Sequence, residues 1–303
     1  MDHCRLIYTR VRVLLSGGLG NQMFMYAAAR ALAVRNRCAL VLDLQRFGRE
    51  RVYQRRYLLD GLPIHGAAFC PGPWTLLCDA ADRMAYRSRL PVIGRRPNRI
   101  YEATAANATS LDSRLFSELH RHGAVLDGYW QSEGYFADAA DLVRHELTPT
   151  TAVPPSLARD EAAIREANQP VAVGIRFYCE VAGWNENASR VIGVFREALA
   201  AVSKRLPAST FFVFTDSPSL LADPACLGVP FRLAGGMACD DEAIGVLSLM
   251  RRCQSFLVGY SSFHWWAAWL GSHSTKQVFC LPELGGNPHL YFPRSWIRVL
   301  AGD

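Results

Sequence analysis

From residue 170 onward, short apolar, β-prone runs alternate with helix-length stretches, and this rhythm constrains the fold more than any other feature. Strands are expected over 171–177, 211–215, 256–258 and 277–281, and helices over 191–205, 242–252 and 263–270. Strands alternating with helices predict a parallel, doubly wound sheet that takes ligands at the carboxyl ends of its strands. At those ends stand Arg176, Asp216, and Ser261 with Ser262. An arginine and a hydroxyl-capped helix N-terminus suit a diphosphate, and a carboxylate can accept from a base or a ribose. Within 255–271 the pattern is compressed: Phe256-Leu257-Val258 reads as a buried strand and Gly259 breaks it. Ser261 or Ser262 then caps a helix rich in tryptophan that Gly271 ends. An ordinary capped helix with no ligand fits that stretch as well.

The first half opens in a similar way. Residues 11–15 read as a strand, Ser16-Gly17-Gly18-Leu19-Gly20-Asn21-Gln22 as a turn, 23–35 as an Ala-rich helix and 39–44 as a second strand. Gly18-x-Gly20 opening a helix, with Asp43 about twenty residues on, is similar to a dinucleotide fingerprint, although Met23 stands where the third small residue belongs. An NAD-dependent enzyme using Gly18, Gly20 and Asp43 is therefore one alternative. Residues 47–98 are rich in Arg, Pro and Gly and read as an irregular insertion with a few short helices. Residues 123–136 read as a short strand entering an aromatic loop, where Gln131 and Glu133 beside aromatic faces suit a sugar ring. An aromatic cluster at the edge of the core fits that loop equally. A helix over 137–147 follows. The Pro- and Thr-rich stretch 148–155 reads as a linker between an N-terminal domain, 1–150, and a C-terminal domain, 156–303.

A chain of 303 residues suits two such domains. The net charge is +6 and arginine dominates it, in clusters at Arg46, Arg49, Arg51, Arg55 and Arg56 and again between Arg83 and Arg99. Such clusters suit phosphate-bearing partners, acidic glycans or anionic lipid headgroups. A solvated basic face is the plainer reading, and no nucleic-acid partner is expected. No apolar run reaches the ~18 residues of a membrane span and no signal-peptide core is visible, so the expected location is the cytoplasm, with peripheral contact at the inner membrane face left open. Nine cysteines without a C-x-x-C pair indicate neither a disulfide framework nor a zinc site, and are expected to be reduced and mostly buried.

Several motifs carry a resemblance. Gly17-Gly18-Leu19-Gly20-Asn21-Gln22-Met23-Phe24 with Tyr26-Ala27 is similar to the opening G-G-L-G-N-Q-M-F-Q-Y-A of the bacterial α-1,2-fucosyltransferases of glycosyltransferase family eleven. Gly128-Tyr129-Trp130-Gln131-Ser132-Glu133 with Tyr135-Phe136 resembles the central G-Y-F-Q-S-E-K-Y-F, and Phe214-Thr215-Asp216 the F-S-D segment. Leu249-Met250 with Cys253, then Ser261, Phe263, Trp265, Trp266, Ala268 and Trp269, follow L-M-S-x-C and N-S-T-F-S-W-W-G-A-W-L. The matches keep family order from about residue 13 to 281. One motif departs: H-x-R-R-G-D-Y aligns with Gly174-Ile175-Arg176-Phe177-Tyr178-Cys179-Glu180, which keeps only the first arginine.

The resemblance implies two Rossmann-like α/β domains facing a cleft, the GT-B arrangement. It implies an inverting, metal-independent transfer of L-fucose from GDP-fucose to a sugar hydroxyl, the 2-OH of galactose, on a glycan or lipid-linked oligosaccharide. No D-x-D triplet is present, and no cofactor is expected beyond the GDP-sugar donor. Arg176, Asn21 and Glu180 are the expected catalytic residues, with Glu133 behind Glu180 as the proton acceptor. Gly18, Gly20, Gln22, Gln131, Glu133, Asp216, Ser261, Ser262 and Phe263 are the expected substrate-binding residues. The altered nucleotide motif leaves a second alternative, a non-catalytic or donor-switched relative that binds a nucleotide sugar or glycan.

Overall fold

The computed structural model describes residues 10–49, 54–72, 76–77, 80–81, 84, 98–102, 110–119, 123–178, 187–236, 242–284 and 288–299. Among them two separate sheets form, both parallel throughout. The first holds β1 (Arg10–Leu14), β2 (Ala39–Asp43), β3 (Ala67–Phe69), β4 (Asn98–Tyr101) and β5 (Ala124–Asp127), in the order β3-β2-β1-β5-β4. The second holds β6 (Pro170–Ile175), β7 (Thr210–Thr215), β8 (Phe231–Leu233), β9 (Ser255–Val258), β10 (Val278–Cys280) and β11 (Ile297–Arg298), in the order β11-β10-β9-β6-β7-β8. The expected two-domain α/β architecture is therefore present. β6, β7 and β9 are buried almost along their length, as strands covered on both faces must be, which explains their largely apolar content.

The helices are α1 (Leu19–Arg35), α2 (Ala140–Leu147), α3 (Ala158–Glu166), α4 (Ala188–Arg205), α5 (Ala243–Met250), α6 (Ser262–Leu270) and the single turn α7 (Pro288–Tyr291). α1 is buried on nearly every side, because its first sheet covers one face and α6 of the second domain covers another. The Phe24 ring lies 4.6 Å from that of Trp265 and 4.9 Å from that of Trp266. Phe136 stacks on Trp266 at 5.5 Å, and the Trp266 indole N–H donates to the Gly20 carbonyl at 3.1 Å. One apolar core thus runs through the junction of the domains, and a second lies between the other face of the C-terminal sheet and α4.

Several expectations need revision. The 47–98 segment is not wholly irregular: it supplies β3, and β4 begins at its end. α3, β8 and β11 were not anticipated. The 148–155 stretch joins the two sheets' regions and is itself packed, with Val153 buried and Pro154 seated where a Cβ on Gly245 would be 2.6 Å away. Of the five described cysteines, all free, only Cys253 and Cys280 are buried.

Candidate active site

The order of each sheet reverses once, between β1 and β5 and between β6 and β9. Ligands of open α/β sheets bind at such points, outside the carboxyl ends of the strands. The two reversal points face one cleft of about 460 Å³, lined from β1 and β5 by Ser16–Asn21, Tyr129 and Gln131, and from β6, β7 and β9 by Arg176, Tyr178, Asp216 and Tyr260–His264.

On the C-terminal wall the central group is the Asp216 carboxylate, one residue past β7. It accepts from the backbone N–H of Phe177 at 2.8 Å and of Tyr178 at 3.1 Å, and meets the Arg176 guanidinium at 3.1 Å. Tyr178 has φ of 54°, a conformation rare for a side chain of its size, and the carboxylate holds it there. Asp216 thus shapes the turn and aims Arg176 while lining the cleft. Ser261 caps α6, its hydroxyl accepting from the His264 N–H at 3.4 Å. The first turn of α6 offers further N–H groups without an intrahelical acceptor and the positive end of the helix dipole.

His264 lies buried beside this cation. Burial first, and Arg176 second, pull its pKa down to about 3 against an opposing effect of the Gly174 backbone, so the imidazole is neutral near pH 7. A Cβ on Gly174 would stand 2.4 Å from the ring carbon Cγ of His264. The glycine at 174 thus has a steric cause: the ring of His264 fills the space a side chain there would need.

The N-terminal wall is the entry to α1. Gly17 takes φ of 75°, which glycine tolerates, and Gly18 is the N-cap. A Cβ on Gly18 would meet nothing within 4 Å, whereas one on Gly20 would lie 2.4 Å from the Ser262 carbonyl carbon and the Phe263 nitrogen. Gly20 is thus needed for the contact of α1 with α6. Asn21 lies inside the first turn and does not cap it. Its carbonyl oxygen accepts from Gln131 Nε2 and from the Ser262 hydroxyl, both at 2.8 Å, tying three segments of the cleft together. Glu102, one residue past β4, repeats the device of Asp216. Its carboxylate accepts from the N–H of Tyr129 and of Trp130, the latter at φ of 55° and 2.9 Å.

The cleft brings together Gly18, Gly20, Asn21, Gln131, Arg176, Asp216, Ser261, Ser262 and Phe263. Two expected ligand contacts lie elsewhere. Gln22 is wholly buried: its amide donates to the carbonyls of Gly17 and Arg56, both at 2.8 Å, and accepts from Leu58 N–H at 3.0 Å. Glu133 accepts from the Trp269 indole at 2.8 Å and does not line the cleft. Glu180 lies outside the described residues, as do Arg51 and the arginines from 83 to 96. The loop after β5 divides between its two readings: Trp130, Tyr135 and Phe136 join the core, while Tyr129 is 42% exposed at the cleft. Asp43, the ribose ligand of the dinucleotide alternative, is fully buried, 3.6 Å from Arg12 and accepting from Gln45 N–H. Arg46 and Arg99 pair with Asp127 rather than facing a partner. Tyr178, Tyr260, His264 and Tyr291 were missed; aromatic residues spread over separate loops and helices carry no spacing that marks them as one site.

Two parallel-sheet α/β domains with the carboxyl ends of their strands at a shared cleft make the fold of the GT-B glycosyltransferases. The fucosyltransferase FUT1 of Arabidopsis thaliana, solved in complex with GDP, has a similar fold: the TM-score is 0.52 at 14% identity, over 89% of this chain and 70% of that one. Sequence similarity points to more particular relatives. The chain is 24% identical over 311 residues to the O-antigen biosynthesis glycosyltransferase WbnK of Escherichia coli, covering 94% of this chain and 99% of the relative. It is 24% identical over 304 residues to an α-1,2-colitosyltransferase of Escherichia coli, covering 94% and 97%. No protein-family model matches the chain. Among the described residues, no helix is long and apolar enough to cross a membrane, and no group of three or more His, Cys, Asp or Glu is placed to hold a metal ion.

Proposed function

We propose that this chain is an inverting, metal-independent glycosyltransferase that moves L-fucose, or a closely related sugar, from a GDP donor to the 2-OH of a galactose on a glycan. The carrying observation is the meeting of Arg176 and the first turn of α6 at the reversal point of the C-terminal sheet. An arginine fork and a helix N-terminus both stabilise a diphosphate, and most strongly once it carries the extra charge of a leaving group. The O-antigen and α-1,2 relatives support a glycan acceptor and that linkage, and the GDP complex of the similarly folded fucosyltransferase supports the nucleotide. A lipid-linked oligosaccharide, met at a membrane surface, is the proposed natural acceptor.

In this reading Arg176 and α6 hold the diphosphate while the acceptor hydroxyl attacks the anomeric carbon from the opposite side. Asn21 holds the N-terminal wall in register with Ser262. Tyr129, exposed at the cleft mouth, gives the acceptor ring a face to stack on. Asp216 is the only carboxylate lining the cleft among the described residues, and it is committed to Arg176 and the turn. Glu180 is the proposed proton acceptor, and an oxocarbenium-like transition state needs little help from it.

The test is incubation with GDP-fucose and a β-galactoside in excess EDTA, read by mass spectrometry. The expected product is the fucosylated galactoside. Binding of GDP without transfer would favour the non-catalytic relative, for which the loss of arginine at Phe177 speaks. Turnover abolished by EDTA and restored by manganese would overturn the metal-free chemistry.

A further inference from the structure

We propose that Arg55 is the second phosphate-binding cation of the cleft, reaching the donor diphosphate from the N-terminal domain opposite Arg176, and that Gln22 is the residue that positions it. The inference rests on the nucleotide-sugar reading above and adds a second cation toward its charge balance.

A departing nucleoside diphosphate carries about three negative charges near neutral pH, and a buried or half-buried anion needs matching cations. Arg176 meets only part of that need, because its guanidinium is already 3.1 Å from the Asp216 carboxylate. His264 is buried and neutral. Phe177, where the resembling motif has its second arginine, is 2% exposed and packed in the core between the C-terminal sheet and α4. Among the described residues, the C-terminal domain thus brings one arginine to the cleft. Among the described lining residues the other cationic side chain is Arg55, half-buried, from the arginine-rich segment that precedes β3.

Its backbone is held in place. Gln22 donates from one amide to both the Gly17 and the Arg56 carbonyls, each at 2.8 Å, and accepts from Leu58 N–H. The glycine turn that lines the cleft and the chain immediately after Arg55 are therefore fastened to one buried side chain. Leu58, Leu59 and Leu62 anchor the same segment in the core. A polar residue with no access to the ligand would thereby be required for ligand binding.

The test is calorimetric titration of the full chain and of Arg55→Ala with GDP, and with guanosine as a probe that lacks the diphosphate. Arg55→Ala should weaken GDP about ten- to a hundredfold and leave guanosine unchanged, as expected for a lost charge-assisted contact. Gln22→Ala should weaken GDP in the native background and add nothing in the Arg55→Ala background. A merely structural role would lower affinity equally in both. Equal GDP affinity of the native chain and Arg55→Ala would overturn the Arg55 assignment alone. A native chain that binds no GDP would overturn the nucleotide reading and this inference with it.

Discussion

Gly20→Ala is expected to lower the melting temperature and to abolish most turnover. The added methyl would lie 2.4 Å from the Ser262 carbonyl carbon and the Phe263 nitrogen, and 2.8 Å from the Phe263 Cα. Those atoms are backbone at the start of α6, so no side chain can rotate to make room. Overpacking of this kind costs about 1–3 kcal/mol, sometimes more. In a chain of this size that corresponds to roughly 2–5 °C in Tm. The functional loss comes from the same displacement. If α1 backs away from α6, the Ser262 hydroxyl loses Asn21 at 2.8 Å, and the Trp266 indole loses the Gly20 carbonyl. Both walls of the cleft then move, and a shift of about 1 Å at a reacting centre can cost on the order of 10²-fold in rate. Gly18→Ala is the control: nothing lies within 4 Å of its Cβ position and φ is −74°, so its melting temperature should match the native chain. A Gly20→Ala protein that melts and turns over normally would show that the two helices do not set the site.

Arg176→Ala should leave the fold nearly intact and remove most of the donor binding. The side chain is partly exposed, 23%, so little apolar burial is lost. Asp216 keeps its two backbone N–H donors, and the turn at Tyr178 survives. What is lost is a guanidinium aimed at the cleft. The ground-state contact is worth ~1.5–3 kcal/mol, or about ten- to a hundredfold in GDP affinity. The effect on kcat should be larger, around 10²–10³-fold, because charge on the departing diphosphate grows in the transition state. Arg176→Lys keeps the charge without the fork and should fall between. Steady-state kinetics beside calorimetry check both numbers. Unchanged kcat in Arg176→Ala would remove the residue from the chemistry.

The parts of this molecule that were legible in sequence are those whose cause is local. The buried strands β6, β7 and β9 declare themselves by apolar runs, and α6 by its serine cap and glycine end. β3 and β8 are short edge strands with exposed residues, so neither length nor alternation marks them. The site shows the same division. Arg176, Ser261 and Asp216 could be placed at strand ends because topology fixes where strand ends go. The partner of each side chain could not be read. Gln22 and Glu133 stand in motifs that look like ligand contacts, yet one binds a backbone 34 residues on and the other an indole 136 residues on. Asp216 stands at the expected strand end, and its bonds to the Phe177 and Tyr178 N–H groups could not be read from sequence. The glycine at 174 reads as a lost histidine until His264 is seen against it, 90 positions later in the chain. Distances in sequence of that size leave no pattern in a single chain.

Calorimetric titration of the purified native chain with GDP, with NAD titrated alongside, puts the nature of the cleft to a direct measurement. GDP should bind at a single site with micromolar affinity and no added metal, and NAD should give no heat. Binding of NAD with GDP inert, or no heat from either, would contradict a nucleotide-sugar site built from Arg176 and the first turn of α6.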